Sequence, residues 1–529
     1  MEAIQILLEA GLALEKAASD FLDACAALKL MAIPSLASAL GQRAFENNIG
    51  NILSSVDSTS LVENRMRESR ILLNKLLNMS TVRVPVHQLP VETLGYIFSI
   101  VVASSPCFPV DKLLRDGLLD IPRVCVRWNQ VAIDTPSLWS HIDINLSQSS
   151  VATTLERAQL WLKRCHNMPI HLHLDGIPDL QSKDVPDLLA FMRPHGGSLG
   201  SLVFTNYCHR SLVHALLSLT SGSLKTLVAS NTVAPFDQED VSSLPTGLLC
   251  GLTTLDLMES DQVICPSVSD VAKLLSGNST LHTLRLRHFR FRSSSLQTYP
   301  PILLPQLRFL EVVNVRGDEV PLLFSNLVPG ILELDVRLDA KYFGDDRLGS
   351  SAQQLLARSN VVSLSIYNLL LDTTEQLLRC LPSAPRLRVL RFSDMSLARS
   401  LAQALATTVE DQPSLQLPCL RSLCLFGCHV DPWAVIPLEQ IIGQLRFSNL
   451  AFLNCQFPPS FTQPTSSDRE SENKLVSESY QDHHKYQYEM PQTLRDWFLA
   501  RVERVVVDTT PTRSDQTYHG VDPFVQKLM

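Results

Sequence analysis

Two groups of residues in this chain have the types that could do chemistry. Cys419, Cys424, Cys428 and His429 lie within eleven positions, and thiolates with an imidazole are zinc ligands. Their spacing, C-x4-C-x3-C-H, does not match the paired spacings of structural zinc sites. Buried core cysteines are the expected reading. His171, His173 and Asp175 alternate along one short segment, so on a strand they share a face. Base and carboxylate alone do not make a triad, which needs a nucleophile beside them, and the spacing supplies none. His483-His484 sits in a polar stretch without a second ligand pair. No Gly-rich phosphate loop, G-x-S-x-G or H-E-x-x-H occurs. The expectation is a non-enzymatic protein with no assigned cofactor or metal ligands.

The elements that carry these residues belong to a recurring frame, apolar-x-x-apolar-x-apolar. Clear copies are Leu252-Thr-Thr-Leu255-Asp-Leu257, Leu281-His-Thr-Leu284-Arg-Leu286, Leu387-Arg-Val-Leu390-Arg-Phe392 and Leu420-Arg-Ser-Leu423-Cys-Leu425. First positions fall at Trp139, Pro169, Leu199, Leu224, Leu252, Leu281, Leu307, Ile331, Val361, Leu387, Leu420 and Phe447, about every 28 residues. Pro169 is an imperfect first position; that copy fits through Leu172 and Leu174. Helix-like segments lie between copies, at 271–275, 352–358, 374–379 and 401–406. One strand plus one helix per unit is a leucine-rich pattern, and the helices argue against a β-sandwich.

The chain has 529 residues, more than one compact core accommodates, and 45% are hydrophobic, so it should fold. The net charge of −8 argues against nucleic acid as the main partner. Twelve scattered cysteines form no disulfide framework. The N-terminus carries acids and lacks a basic signal-peptide region, and no run of about 18 uncharged apolar residues suggests a membrane span. A cytosolic or nuclear protein is expected.

Residues 1–80 read as helical, with apolar side chains such as Ile4, Leu8 and Leu12 on one face and a second helix over 61–79. Residues 84–137 read as a compact helical unit. Pro90 and Glu92 are helix-start signals. Leu94, Ile97, Phe98 and Val101 make one stripe, and Val124, Trp128, Val131 and Ala132 make another, which Pro136 stops. Repeats fill 138–457. Residues 458–492 form a polar insertion, and 493–529 hold a last unit that caps the stack, followed by a tail.

The segment Val86-His-Gln-Leu89-Pro90-Val91-Glu92-Thr-Leu94-Gly-Tyr-Ile97-Phe98, with Val124-Cys125-Val126-Arg127-Trp128-Asn-Gln-Val131-Ala132 and Thr135-Pro136-Ser137-Leu138-Trp139, resembles an F-box domain of the F-box-like form common in mushroom-forming fungi. It departs at Val126, where that family usually has Arg, and in a longer link between its halves. The resemblance implies an α+β chain: N-terminal helices and a helical F-box, then an α/β leucine-rich-repeat solenoid. It also implies docking on a Skp-type adaptor, and through it a cullin, in an SCF-type (cullin-RING) ubiquitin ligase, with the repeats holding a protein substrate. The adaptor-binding residues would be Leu89, Pro90, Glu92, Leu94, Ile97, Phe98 and Val101. The alternative is a leucine-rich scaffold that binds a partner without any ligase.

Strand alternation indicates where a partner would bind. The fourth and sixth frame positions point into the core, so the third, fifth and seventh line the opposite, concave face. Charges gather there in the middle repeats. Arg285, Arg287, Glu333, Asp335, Arg337, Tyr367 and Arg391 are the expected substrate-binding set, because arginine and aromatic residues are common anchors.

Overall fold

A computed structural model describes residues 2–35, 85–104, 117–146, 151–176, 184–205, 210–220, 222–230, 249–258, 267–288, 290–291, 300–317, 319–343, 346–369, 371–393, 396–397, 417–430, 448–457, 490–500 and 502–508, with a few isolated positions besides. The expected helix over 61–79, the stretch 401–406, the polar segment 458–489 and the tail after 508 lie outside them, apart from those isolated positions. The chain divides into two units, residues 1–94 with 123–129, and residues 95–122 with 130–529.

Each copy of the frame produces a strand. These are β1 (His141–Asn145), β2 (Ile170–Asp175), β3 (Leu199–Thr205), β4 (Thr226–Ser230), β5 (Thr254–Met258), β6 (Thr283–Arg287), β7 (Phe309–Val313), β8 (Leu334–Asp339), β9 (Val361–Tyr367), β10 (Val389–Ser393), β11 (Ser422–Phe426), β12 (Asn449–Leu453) and β13 (Arg504–Asp508). They join in chain order into one parallel sheet of 13 strands. In register, Leu255 sits beside Leu284, Leu284 beside Leu310, and Leu257 beside Leu286. These rows are fully buried or nearly so. Each buried leucine contributes about 1.5–3 kcal/mol over an exposed one, and parallel strands bring like positions together in rows.

Among the described residues, helices occupy most of the crossovers that parallel strands need. One capping box starts the helix Val268–Ser276: the Ser267 hydroxyl accepts from the Asp270 backbone N–H, and the Asp270 carboxylate accepts from Ser267. At its end Asn278, 1% exposed, donates to the Leu274 carbonyl and accepts from the Leu252 N–H, so it joins helix to strand. The helix Gln492–Leu499 buries Leu494 and Phe498, and the Phe498 ring lies 5.2 Å from that of Phe452, tilted by 45°. With β13 it makes the last unit of the sheet.

The residue after a strand repeatedly takes a left-handed conformation. His288, Asn314, Asn368 and Asn454 have φ between 51° and 55°, and Gly176 and Gly427 are also positive. All six occupy the eighth frame position. Asparagine and glycine tolerate this region best. Neighbouring turns are linked through it: the Asn368 amide donates to Asp339, and Lys341 donates to the Asn314 carbonyl oxygen.

One frame was misplaced. Ile331 is 89% exposed, and the buried fourth and sixth positions are Val336 and Leu338, two residues later than expected. The chain first forms a short strand at Leu327–Pro329, which pairs with Ile302–Leu304, and enters β8 only at Leu334. Because the shift is even, Asp335 and Arg337 keep their face. Glu333 falls before the strand.

In the first unit, the described side chains of the helix Glu2–Ser35 are exposed, Leu12 and Leu22 among them. The Arg127 guanidinium donates to the Leu89 carbonyl at 2.5 Å, tying the two halves of the 85–129 motif. The second apolar stripe is not one helix. It breaks at Cys125 into Gly117–Val124 and Val126–Ile133. The Cys125 thiol accepts from the Trp128 N–H, in the manner of an N-cap. Val124 and Val126 are exposed, whereas Val131 and Ala132 are buried. In the second unit, Trp139 is 1% exposed; its indole donates to the Ala132 carbonyl at 2.7 Å and meets Trp161 edge-on. That tryptophan joins the last helical turn to the first strand of the sheet.

Candidate protein-interaction surfaces

Helix Val91–Ser104 carries most of the expected adaptor-binding residues. Leu94 and Phe98, four apart, are 0% and 1% exposed, so they are core side chains and not contact residues. At about 100° per residue, Leu94 and Phe98 lie within about 40° of each other, while Ile97, Ile100 and Tyr96 lie progressively further round from Leu94, so the expected stripe straddles the edge of the buried face. The outward face carries Tyr96, Ile97, Ile100 and Val101 at 68%, 37%, 50% and 41% exposure. Pro90 and Glu92 are exposed at the helix start, and Leu89 is half-buried with its carbonyl held by Arg127. Tyr96 and Ile100 stand outside the i, i+3, i+4, i+7 periodicity, so the apolar spacing does not single them out.

The sheet face opposite the leucine rows reads, across its middle, Asp256, Arg285, Glu311, Arg337, Ser365 and Arg391 on successive strands. Opposite charges therefore alternate at the strand spacing. Arg287 Nη2 reaches both oxygens of Asp256 at 2.8 and 2.9 Å. Arg285 lies 3.6 Å from Asp256 and 3.4 Å from Glu311. The guanidinium centres of Arg285 and Arg337, from the strands on either side, sit 4.8 and 4.7 Å from the Phe309 ring centre, a cation–π arrangement.

This network is buried. Asp256 is 0% exposed, Glu311 1%, Arg287 3%, Arg337 6% and Arg285 9%; Arg391, between Ser365 and Cys424 on the same face, is 6% exposed. Burial raises the Glu311 carboxyl above its ordinary value, although the three arginines pull it back down. Burial likewise lowers Arg285 against the pull of Asp256 and Glu311. It works to lower Arg337 as well, but Tyr367, Asp335 and Glu311 outweigh it and its pKa ends above the ordinary value.

Arg285, Arg287 and Arg337, expected to meet a substrate, therefore belong to an internal network, and Arg391 is buried on the same face. Lone buried charges are costly, so alternating signs across the sheet are what this burial requires. Asp335 and Tyr367 remain partly exposed on the same face, and Glu333 is exposed before β8, 2.9 Å from the similarly exposed Arg388. Asp256, Glu311 and Phe309 belong to the network although the expected binding set omitted them; their alternate positions in the frame placed them on this face. Further along, the same face turns apolar: Val389, Cys424, Ala451 and Leu453 form one cluster with Phe426 and Val506.

The cysteines near His429 are not gathered. Cys424 lies in that cluster, Cys428 is buried with its thiol near the Phe392 and Phe426 carbonyls, and Cys419 is exposed. Among the described residues no helix is long and apolar enough to cross a membrane. No protein-family model matches this chain, and no curated protein matches it.

Proposed function

We propose that the chain is the substrate-recognition subunit of an SCF-type ubiquitin ligase. On this reading residues 84–137 are an F-box-like domain that docks on a Skp-type adaptor and through it on a cullin. The repeated strand–helix units are a leucine-rich solenoid that holds a protein substrate. The chain itself does no chemistry and works in the cytosol or nucleus.

The observation that carries this reading is the outward face of helix Val91–Ser104. Four large side chains on the outward face of this 14-residue helix stay in water while Leu94 and Phe98 are buried. An exposed apolar patch of this kind commonly marks a protein interface, and an amphipathic helix laid into a groove is a recurrent recognition mode. The bond from Arg127 to the Leu89 carbonyl supports the resemblance further, since it holds together the two motif halves that define it. The scaffold reading has its own support. The central arginines of the sheet serve internal pairing, so a partner would have to use Tyr367, Asp335 and the edges of the sheet face.

The test is capture of the full chain by a purified Skp-type adaptor, with Ile97→Asp/Val101→Asp beside the wild type. Both positions are exposed, so the variant should keep its circular dichroism spectrum. Capture of the wild type and its loss in the variant is the expected result. If the wild type is not captured, the ligase reading falls and the scaffold reading stands.

A further inference from the structure

The first strand of the sheet brings together a set of donors that the sequence leaves thirty residues apart. His141 and Asp143 alternate on one face of β1, and His173 lies on the same face of β2. The parallel register sets Asp143 directly beside His173 and His141 beside His171. His141 Nε2 and His173 Nδ1 are 3.3 Å apart, Asp143 Oδ1 lies 3.4 Å from His173 Nδ1, and 3.6 Å separates Asp143 Oδ1 from His141 Nε2. Three donor atoms thus make a nearly equilateral triangle.

Those edges have a meaning in coordination chemistry. Zinc binds imidazole nitrogen and carboxylate oxygen at about 2.0–2.1 Å in tetrahedral geometry, which places any two ligands about 3.4 Å apart. A single shared proton bridges one pair of atoms at a time; an ion at the centre engages all three. The side chains of His173, Asp143 and His141 are 7%, 18% and 29% exposed, so the triangle is walled by protein and still reached from solvent. The next carboxylate, Asp175, is held apart by the Asn145 amide and the Thr205 hydroxyl. Among the described residues, His141, Asp143 and His173 are the group with donor atoms close enough to share an ion.

We propose that His141, Asp143 and His173 bind one divalent transition-metal ion, Zn2+ by preference, with water in the fourth position. Two imidazoles and a carboxylate suit zinc and its neighbours, whereas Ca2+ and Mg2+ take oxygen cages. The ion joins the edge strand to its neighbour. The site is independent of the ligase reading, since it involves neither the F-box-like helices nor the arginine network.

The full chain, stripped of metal by a chelator, is titrated with Zn2+ by calorimetry and separately with Co2+ by visible absorption. The wild type should take one equivalent with at least micromolar affinity, gain thermal stability with Zn2+, and give tetrahedral Co2+ bands. Asp143→Asn and His141→Gln, conservative in volume and only partly buried, should lose that equivalent and the thermal gain while staying folded. Either of three results overturns the proposal: no uptake by the wild type, uptake unchanged in both variants, or an equivalent that thiol alkylation abolishes, which would belong to cysteines.

Discussion

Replacing Asp256 by Asn removes one negative charge from the centre of the arginine network without changing its volume. Asp256 is fully buried and faces two guanidiniums, Arg287 at 2.8 Å and Arg285 at 3.6 Å. Among Asp256, Arg285, Arg287, Glu311 and Arg337 the formal charge then rises from one positive to two. Each pair at about 4 Å is worth about 4 kcal/mol at an effective dielectric constant of about 20. Stranding one member of a buried pair costs about 3–5 kcal/mol. The expected loss is therefore about 3–5 kcal/mol, read as a shifted urea midpoint by circular dichroism. Asp256→Leu with Arg287→Met should lose far less than Asp256→Asn, because a buried pair replaced by apolar groups is often neutral. A cost for Asp256→Asn below about 1 kcal/mol, the range of exposed pairs, would refute the reasoning, as would a double variant no better than the single one.

Two further outcomes follow from side chains outside that network. Tyr342, 1% exposed, accepts from the Val315 N–H at 2.8 Å and donates to its carbonyl at 3.0 Å; Tyr342→Phe should cost about 2–4 kcal/mol by leaving both groups unsatisfied, measured by chemical denaturation, and a neutral result would mean water replaces the hydroxyl. Burial pushes the Cys380 thiol up to about 11 from 9.0; a raised folded-state pKa gives stability that is complete below pH 9 and lost as pH rises through 11. The wild type should accordingly lose stability more steeply than Cys380→Ala between pH 9 and 11, and parallel curves would refute the assignment.

Periodicity made the sheet legible. Frame positions depend on local alternation, and twelve first positions from Trp139 to Phe447 anticipated strands with one displaced, at Ile331. That failure came from Ile331 and Leu332, two apolar residues in the loop before the strand that imitate a frame start. Exposure was less legible. Leu94 and Phe98 are large apolar residues of the same helix as Ile97 and Val101, and which pair faces inward depends on neighbours that sequence does not name. The burial of the arginines is hidden in the sequence for a related reason: charge on a strand face suggests solvent until the register shows Asp256 and Glu311 beside them. The His141–Asp143–His173 triangle was invisible because His171 and His173 suggest a pair within one strand. The third donor comes from the preceding strand and needs the register Asp143–His173 to be found.

The left-handed residues at the strand ends give this chain equivalent joints. Asn314 and Asn368 occupy the same turn with φ of 53° and 55°, and each strand touches only the one before and the one after. A chain that ran from Asn314 straight to Leu369 would meet the next turn in the same direction and at the same height. β7 would then lie against β10, with Glu311 facing Arg391, so the alternation of charge would survive the excision. The length of such a molecule is a variable separate from its fold, adjustable by whole units while the register of the main sheet is kept.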